Sequence, residues 1–394
     1  MSNRREFLKQ AGVLGTAAIL TQTPPVIGKT SEGPQLVEMQ GQKPGTTISM
    51  RDKLQNMPPR RQITIPNVGD WQVLKGDFHI HTIFSDGTLW PKERVIEAAG
   101  NGLDVIAITD HIEYRPNLGG SSGLKLADRN DDHNISYDIA KPEADQRKII
   151  LVRGTEITKS KMPPGHFNAL FFEDANRIAA QVSDYRKMFE ETVRQGGFLL
   201  WNHPGWEAPG SGGIEKGAPT IFTPEHEEIF KNGWMHGIEA FNQYDYYSVV
   251  SDWVEEKDLA TFANSDIHQT EIETYGVRNP RRPITLVFAK ERTHDAVKEA
   301  FFAKRTVGWA ADMILGREKW LKPLFEACVE IHADGGTLAF VNKSSLPVVM
   351  QVGNQTVNLS PLGMAEAKRT ASGKFLVATN WHTGMDKRLE IAIP

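Results

Sequence analysis

Several of the 12 histidines in this 394-residue chain stand beside carboxylates at short, regular spacings. His79 and His81 are two residues apart, Asp86 follows in Ser85-Asp86-Gly87, and Asp110 directly precedes His111. Glu156, His166 and His203 come next, and Asp266 and His268 are again two apart. Imidazole nitrogens and carboxylate oxygens are the natural ligands of borderline divalent metals. Gathering them in one place without cations is electrostatically expensive. The single cysteine, Cys328, excludes an intrachain disulfide and any thiolate zinc knuckle, so a metal here is held by nitrogen and oxygen. Such a mixed set suits Mn, Zn or Fe, whereas Mg alone uses fewer imidazoles.

The elements that must position these residues follow from hydrophobic patterning. Short apolar runs cover Phe78-His79-Ile80, Val105–Ile108, Ile149–Val152, Ala169–Phe172, Phe198–Trp201, Ile238–Phe241, Ala260–Ala263 and Ile284–Phe288. Between the first two, Pro91 to Gly100 carries the Pro-first, Gly-last punctuation of a helix. Strand and helix in alternation predict a parallel α/β barrel over 67–325. Nearly every candidate ligand follows a run, which places it on the C-terminal rim where barrel active sites are built. His79 and His81 are expected on the first strand, sharing one face. His166 precedes its run and must reach the rim from a loop. Beyond about Pro323 short strand-like runs alternate with turn residues, predicting a small β-sandwich over 326–394. Cys328 is expected as a buried residue in a strand there, and His332 and His382 on the surface.

Residues 1–30 resemble a twin-arginine export signal: Arg4-Arg5-Glu6-Phe7-Leu8-Lys9 leads into an apolar stretch too short to span a bilayer. This predicts a periplasmic protein with no membrane span beyond that segment. Residues 31–66, rich in Pro, Gly, Gln and Thr, read as a linker or arm. A net charge of −4 without a basic run argues against a nucleic-acid polymer as partner.

The ordered set His79-x-His81, Ser85-Asp86-Gly87, Ile108-Thr109-Asp110-His111, Glu156, His166, Asn202-His203-Pro204 and Asp266-x-His268 resembles the PHP (polymerase and histidinol phosphatase) family over roughly 76–290. The resemblance implies a distorted seven-stranded (β/α) barrel and phosphoester hydrolysis by a metal-bridged hydroxide at a centre of two or three divalent metals. It implies one metal on His79, His81, Glu156 and Asp266, and a second sharing Glu156 and adding His166 and His203. A third would use Asp86, His111 and His268. Many relatives have His where this chain has Asp86. Asp110 is implied as a residue orienting a ligand imidazole.

A closer resemblance, carried by Asp77 to Thr82, His111 to Pro116, Asp132-His133-Asn134 and Met162 to Asn168, is to bacterial PHP phosphodiesterases of organophosphate diesters. A small-molecule phosphate diester is therefore the expected partner. In the loop after the second run, Arg115 is a candidate phosphate fork and His133 a candidate acid for the leaving group. Trp201, Trp206 and Tyr244 are candidate pocket walls, and Arg278, Arg281 and Arg282 are expected as a solvated basic group. The competing readings are a phosphomonoesterase, a nuclease, and a non-catalytic binding module.

Overall fold

The computed structural model describes residues 62–118, 131–159, 161, 163–206, 220–276, 281–369 and 375–393. The expected export signal and most of the expected arm lie outside them, as does Arg278. No helix among the described residues is long and apolar enough to cross a membrane.

The first part of the fold is built on β1 (Gln72–Asp77), β2 (Val105–Ile108), β3 (Ile150–Ile157), β4 (Phe167–Leu170), β5 (Phe198–Trp201), β6 (Gly237–Asn242), β7 (Asp245–Tyr246), β8 (Ala260–Asn264), β9 (Ile284–Ala289), β10 (Thr306–Ala310) and β11 (Met313–Gly316). Every residue of β2, β4, β5, β6, β8 and β9 is buried. Their sequences are near-continuous apolar runs because both faces are covered. Helices supply that cover, and their starts are punctuated as the sequence demands. Pro91–Gly100 begins with proline, and Asp184 caps Tyr185–Arg194 by accepting from the Arg186 N–H. Thr223 and His226 form a reciprocal cap on Pro224–Lys231.

The sheet is mixed rather than parallel throughout. β1, β2 and β3 run parallel, as do β5, β6 and β8. β4 is antiparallel to both β3 and β5, because no crossover helix separates it from β3. β9 is antiparallel to β1, and β10 and β11 continue the antiparallel order. The backbone ladder ends at β8 among the described residues. There the N–H groups of Ala263 and Thr261 donate to the hydroxyls of Thr285 on β9 and Thr306 on β10, at 3.0 and 3.1 Å.

β1 ends at Asp77, before the run Phe78-His79-Ile80, so His79 and His81 lie just past the strand rather than on it. Ile80 makes only an isolated bridge with Ile267. The reason is chemical: a buried carboxylate at Asp77 accepts from the Ser265 N–H and hydroxyl and turns the chain across to the β8 exit.

β12 (Val329–Asp334), β13 (Thr337–Asn342) and β16 (Met364–Lys368) form a separate three-stranded sheet. β14 (Val348–Val352), β15 (Gln355–Leu359), β17 (Phe375–His382) and β18 (Arg388–Ala392) extend the large sheet, through parallel pairing of β17 with β11. β13 and β14 alternate buried and half-buried positions, the signature of strands with one covered face. Phe288, Trp309, Phe325, Phe340, Met350 and Trp381 share one apolar core, so this C-terminal layer packs directly on β9 to β11. The helix Glu318–Cys328 crosses the expected 325/326 boundary, and Cys328 is buried at its end rather than in a strand. Residues 62–66 also join this core: Ile63 is buried, and Thr64 and Ser345 exchange hydrogen bonds.

Candidate metal centre

The mixed strand directions gather the nine candidate ligands. β1, β2, β5 and β8 run the same way, and His79, His81, His111, His203, Asp266 and His268 follow their C-terminal ends. Glu156 lies near the end of β3. β4 runs the opposite way, so its start, preceded by His166, lies at the same rim. The residue that breaks the sequence rule thus obeys the geometric one. His203 and Asp266 hold φ values of 25° and 48°, which side-chain-bearing residues seldom adopt. Such strain collects where the surroundings over-determine a functional conformation.

Glu156 is the hub. Its Oε2 lies 3.3 Å from His79 Nε2, 3.2 Å from His81 Nε2 and 3.2 Å from His111 Nδ1. Its Oε1 lies 2.9 Å from His166 Nδ1 and 3.5 Å from His203 Nε2. Asp266 Oδ1 faces the same two rings, at 3.2 Å from His79 Nε2 and 3.1 Å from His81 Nε2. Beside this cluster, Asp86 lies 3.5 Å from His111 Nε2 and 3.3 Å from His268 Nε2. All nine fall into overlapping groups whose ligand atoms are close enough to share ions.

These donors fit divalent cations. His79 Nδ1 lies 2.9 Å from Glu239 Oε1 and donates to it, which leaves the Nε2 lone pair aimed at Glu156 and Asp266. Ser85 donates its only hydroxyl proton to Asp110 at 2.7 Å and accepts from His81 Nδ1 at 3.3 Å, with the same consequence for His81. His268 Nδ1 donates to the Asp266 carbonyl at 2.8 Å, turning its Nε2 lone pair on Asp86. His79 Nε2, His81 Nε2 and Asp86 Oδ1 are buried without a hydrogen bond. Lone pairs facing lone pairs in a dry site call for a positive charge between them.

The protonation balance agrees. Burial opposes charge on His79, yet Asp266, Glu156 and Glu239 raise its pKa well above the imidazole value. His81 is likewise raised to about 9 by Asp266 and Glu156 against its burial. Glu156 and Asp266 are held well below the carboxylate range, burial being outweighed by the surrounding imidazoles. The carboxylates therefore stabilise positive charge on His79, His81 and His203, whereas burial and the neighbouring His81 and Lys159 charges push His111 down to about 4.

Sequence reasoning missed the residues that hold the ligands. Glu239, fully buried on β6, also accepts from the His203 N–H at 2.8 Å and from Asn242 and Asn264. Arg94, buried in the helix Pro91–Gly100, donates to the carbonyls of His81, Ile267, His268 and Gln269 at 2.7–3.1 Å. One guanidinium thus ties together the two loops that carry five of the ligands, His79, His81 and Asp86 on one and Asp266 and His268 on the other. His226 reaches the Pro164 carbonyl at 2.8 Å, two residues before His166. A run of carboxylate next to apolar residues, Ile238-Glu239-Ala240, was the available signal for Glu239. Nothing marks Arg94 apart from an ordinary helix-surface arginine.

Asp110 does not touch an imidazole. Besides Ser85 it accepts from the N–H and hydroxyl of Thr82, both at 2.6 Å, and from Ser136, so it acts on His81 through Ser85. Arg115 donates to the Phe84 carbonyl at 2.9 Å. His133 is pushed down to about 4 by burial and by the neighbouring Arg115 charge. Lys159, unmarked in the sequence, places its Nζ 3.0 Å from His111 Nε2 and 3.5 Å from Asp86 Oδ2. Trp201 is fully buried and stacks on His226, so it is packing rather than a pocket wall. Trp206 lies beside the His203 ring, and Tyr244 is exposed. Arg282 is buried on Asp77 and Glu97 rather than solvated. His382 is buried as well, 3.4 Å from the Tyr246 hydroxyl, rather than on the surface.

No family model and no curated protein matches the chain. Among solved structures it is similar to a two-domain protein from Bacteroides vulgatus containing a predicted PHP-like metal-dependent phosphoesterase. The identity is 34% and the TM-score 0.75, over 86% of this chain and 99% of that one. A proposed metal-dependent phosphoesterase from Bifidobacterium adolescentis matches at 15% identity and TM-score 0.38, covering 63% of this chain and 98% of that one.

Proposed function

This chain belongs to the PHP family of metal-dependent phosphoesterases, and from that footing we propose that it hydrolyses small phosphate diesters. The observation that carries the reading is the hub at Glu156, with the lone pairs of His79 and His81 turned on it and on Asp266. Divalent cations held there would lower the pKa of a bound water and neutralise charge on the phosphoryl oxygens. His79, His81, Glu156 and Asp266 would hold one, and Glu156, His166 and His203 a second.

Charge balance favours a diester over a monoester. The carboxylates of Asp86, Glu156, Glu239 and Asp266 would cancel the charge of two divalent ions. Lys159 then adds one positive charge beside the ligands, 3.0 Å from His111 Nε2. That matches a monoanionic diester, whereas a monoester dianion requires one more positive charge. The resemblance of 111–116 and 132–134 to diesterases points the same way. In this reading Arg115 and His133 serve as substrate-facing residues, and His133, neutral at pH 7, would donate an imidazole N–H rather than a full charge. The expected distorted seven-stranded (β/α) barrel, the C-terminal β-sandwich, the choice of Mn, Zn or Fe, and export to the periplasm belong to the same proposal. Turnover of a diester well above the matching monoester is the test.

A further inference from the structure

We propose that Lys159 is the resident cation of the third ligand group, so that the working enzyme holds two metals and one ammonium rather than three metals. The inference rests on the metal-centre reading above and specifies it.

Asp86, His111 and His268 form a ligand group beside the Glu156 hub. Lys159 Nζ already occupies the mouth of that group, 3.0 Å from His111 Nε2 and 3.5 Å from Asp86 Oδ2. It donates to the nitrogen lone pair that a metal would need. A cation bonded to that nitrogen would stand about 2 Å from it, too close to an ammonium on the same lone pair for both to remain. Repulsion between the two charges in a partly buried site makes the exclusion stronger.

The backbone is shaped to deliver this lysine. Thr158, the preceding residue, is fully buried at φ 72°, a conformation that costs a β-branched residue free energy. The turn is held by Glu113, which accepts from the Thr158 N–H at 2.8 Å, and by the Lys161 N–H donating to the Thr158 carbonyl at 2.9 Å. The Lys159 ammonium also lies 4.4 Å from the Tyr114 ring centroid, a second contact that favours a cation there. An ammonium carries one charge where a metal carries two, so the substitution tunes the centre toward monoanionic diesters.

The test is a metal count. Wild type, Lys159→Arg and Lys159→Met are stripped with chelator, reloaded with excess Mn2+, freed of unbound ion, and measured by mass spectrometry for metal per chain. Wild type and Lys159→Arg are expected to keep two ions, and Lys159→Met three. Three ions in wild type, or two in Lys159→Met, overturns the assignment. Lys159→Gln, carrying the same expectation, replaces Lys159→Met if that variant does not fold. Substrate preference is scored separately. Two ions with monoester preference would uphold the lysine and refute the diesterase; three ions with diester preference would do the reverse.

Discussion

Glu239, at the middle of β6, fixes the His79 ring by a 2.9 Å contact to Nδ1. The contact sets the tautomer, and the negative charge raises the basicity of the nitrogen aimed at Glu156 and Asp266. Glu239→Gln keeps the volume and removes the charge. Metal affinity is expected to fall about 10–100-fold, as for other partners of ligating histidines. Competition with a chromophoric chelator measures it, and an unchanged affinity would deny Glu239 this role.

Asp110 and Ser85 are expected to act as one unit on His81. Asp110→Asn and Ser85→Ala should each weaken metal binding, and the double variant should be no worse than the more damaging single one. Additive losses in that double-mutant cycle would mean that Asp110 works by another route than the Ser85 hydroxyl.

Arg94→Met should take a donor away from the carbonyls of His81, Ile267, His268 and Gln269, of which Ile267 and His268 keep the N–H groups of His81 and Thr88, and leave Glu97 with one fewer charge partner. Breaking a buried charge in this way costs about 3–5 kcal/mol. Thermal melting of the metal-free protein should show the loss directly. A melting temperature within a degree of wild type would show that the clamp contributes nothing to stability.

The sequence made the site more legible than the frame around it. Ligand-type residues after apolar runs mark a strand-end rim because both features are local. The reversal of β4 is not local: it follows from the short β3–β4 connection, which pattern alone reads as one more parallel strand. β10 and β11 escaped notice because Gly308 interrupts one apolar run and the other is only Met313-Ile314-Leu315 before Gly316. The pairing of β17 with β11, which makes the C-terminal strands part of the large sheet, joins segments far apart in the chain. Arg94 and Lys159 were invisible for a related reason, and Glu239 carried only the weak mark of a carboxylate inside an apolar run. Each is an unremarkable residue type whose role depends on which backbone or ring the fold brings to it.

Metal binding should release protons. His81 in the metal-free fold is raised to about 9, above an unfolded value of 6.5. A raised imidazole contributes stability that is fully present below pH 6.5 and is lost as pH rises through 9. The melting temperature of metal-free protein should therefore fall between those pH values, and that of metal-loaded protein should not. Calorimetric titration with Mn2+ at pH 7.5 in buffers of different ionisation enthalpy should show net proton release. Equal heats in all buffers would contradict protonated histidines in the empty site.

Diester hydrolysis at the Glu156 hub can be tested directly. The direct measurement is turnover of bis(p-nitrophenyl) phosphate against p-nitrophenyl phosphate by Mn-loaded protein of known metal content, beside His81→Ala and Asp266→Ala. Diester turnover is expected well above monoester turnover, and both variants are expected to lose it along with bound metal. Monoester preference, or diester turnover that survives in either variant, would contradict diester hydrolysis at the hub.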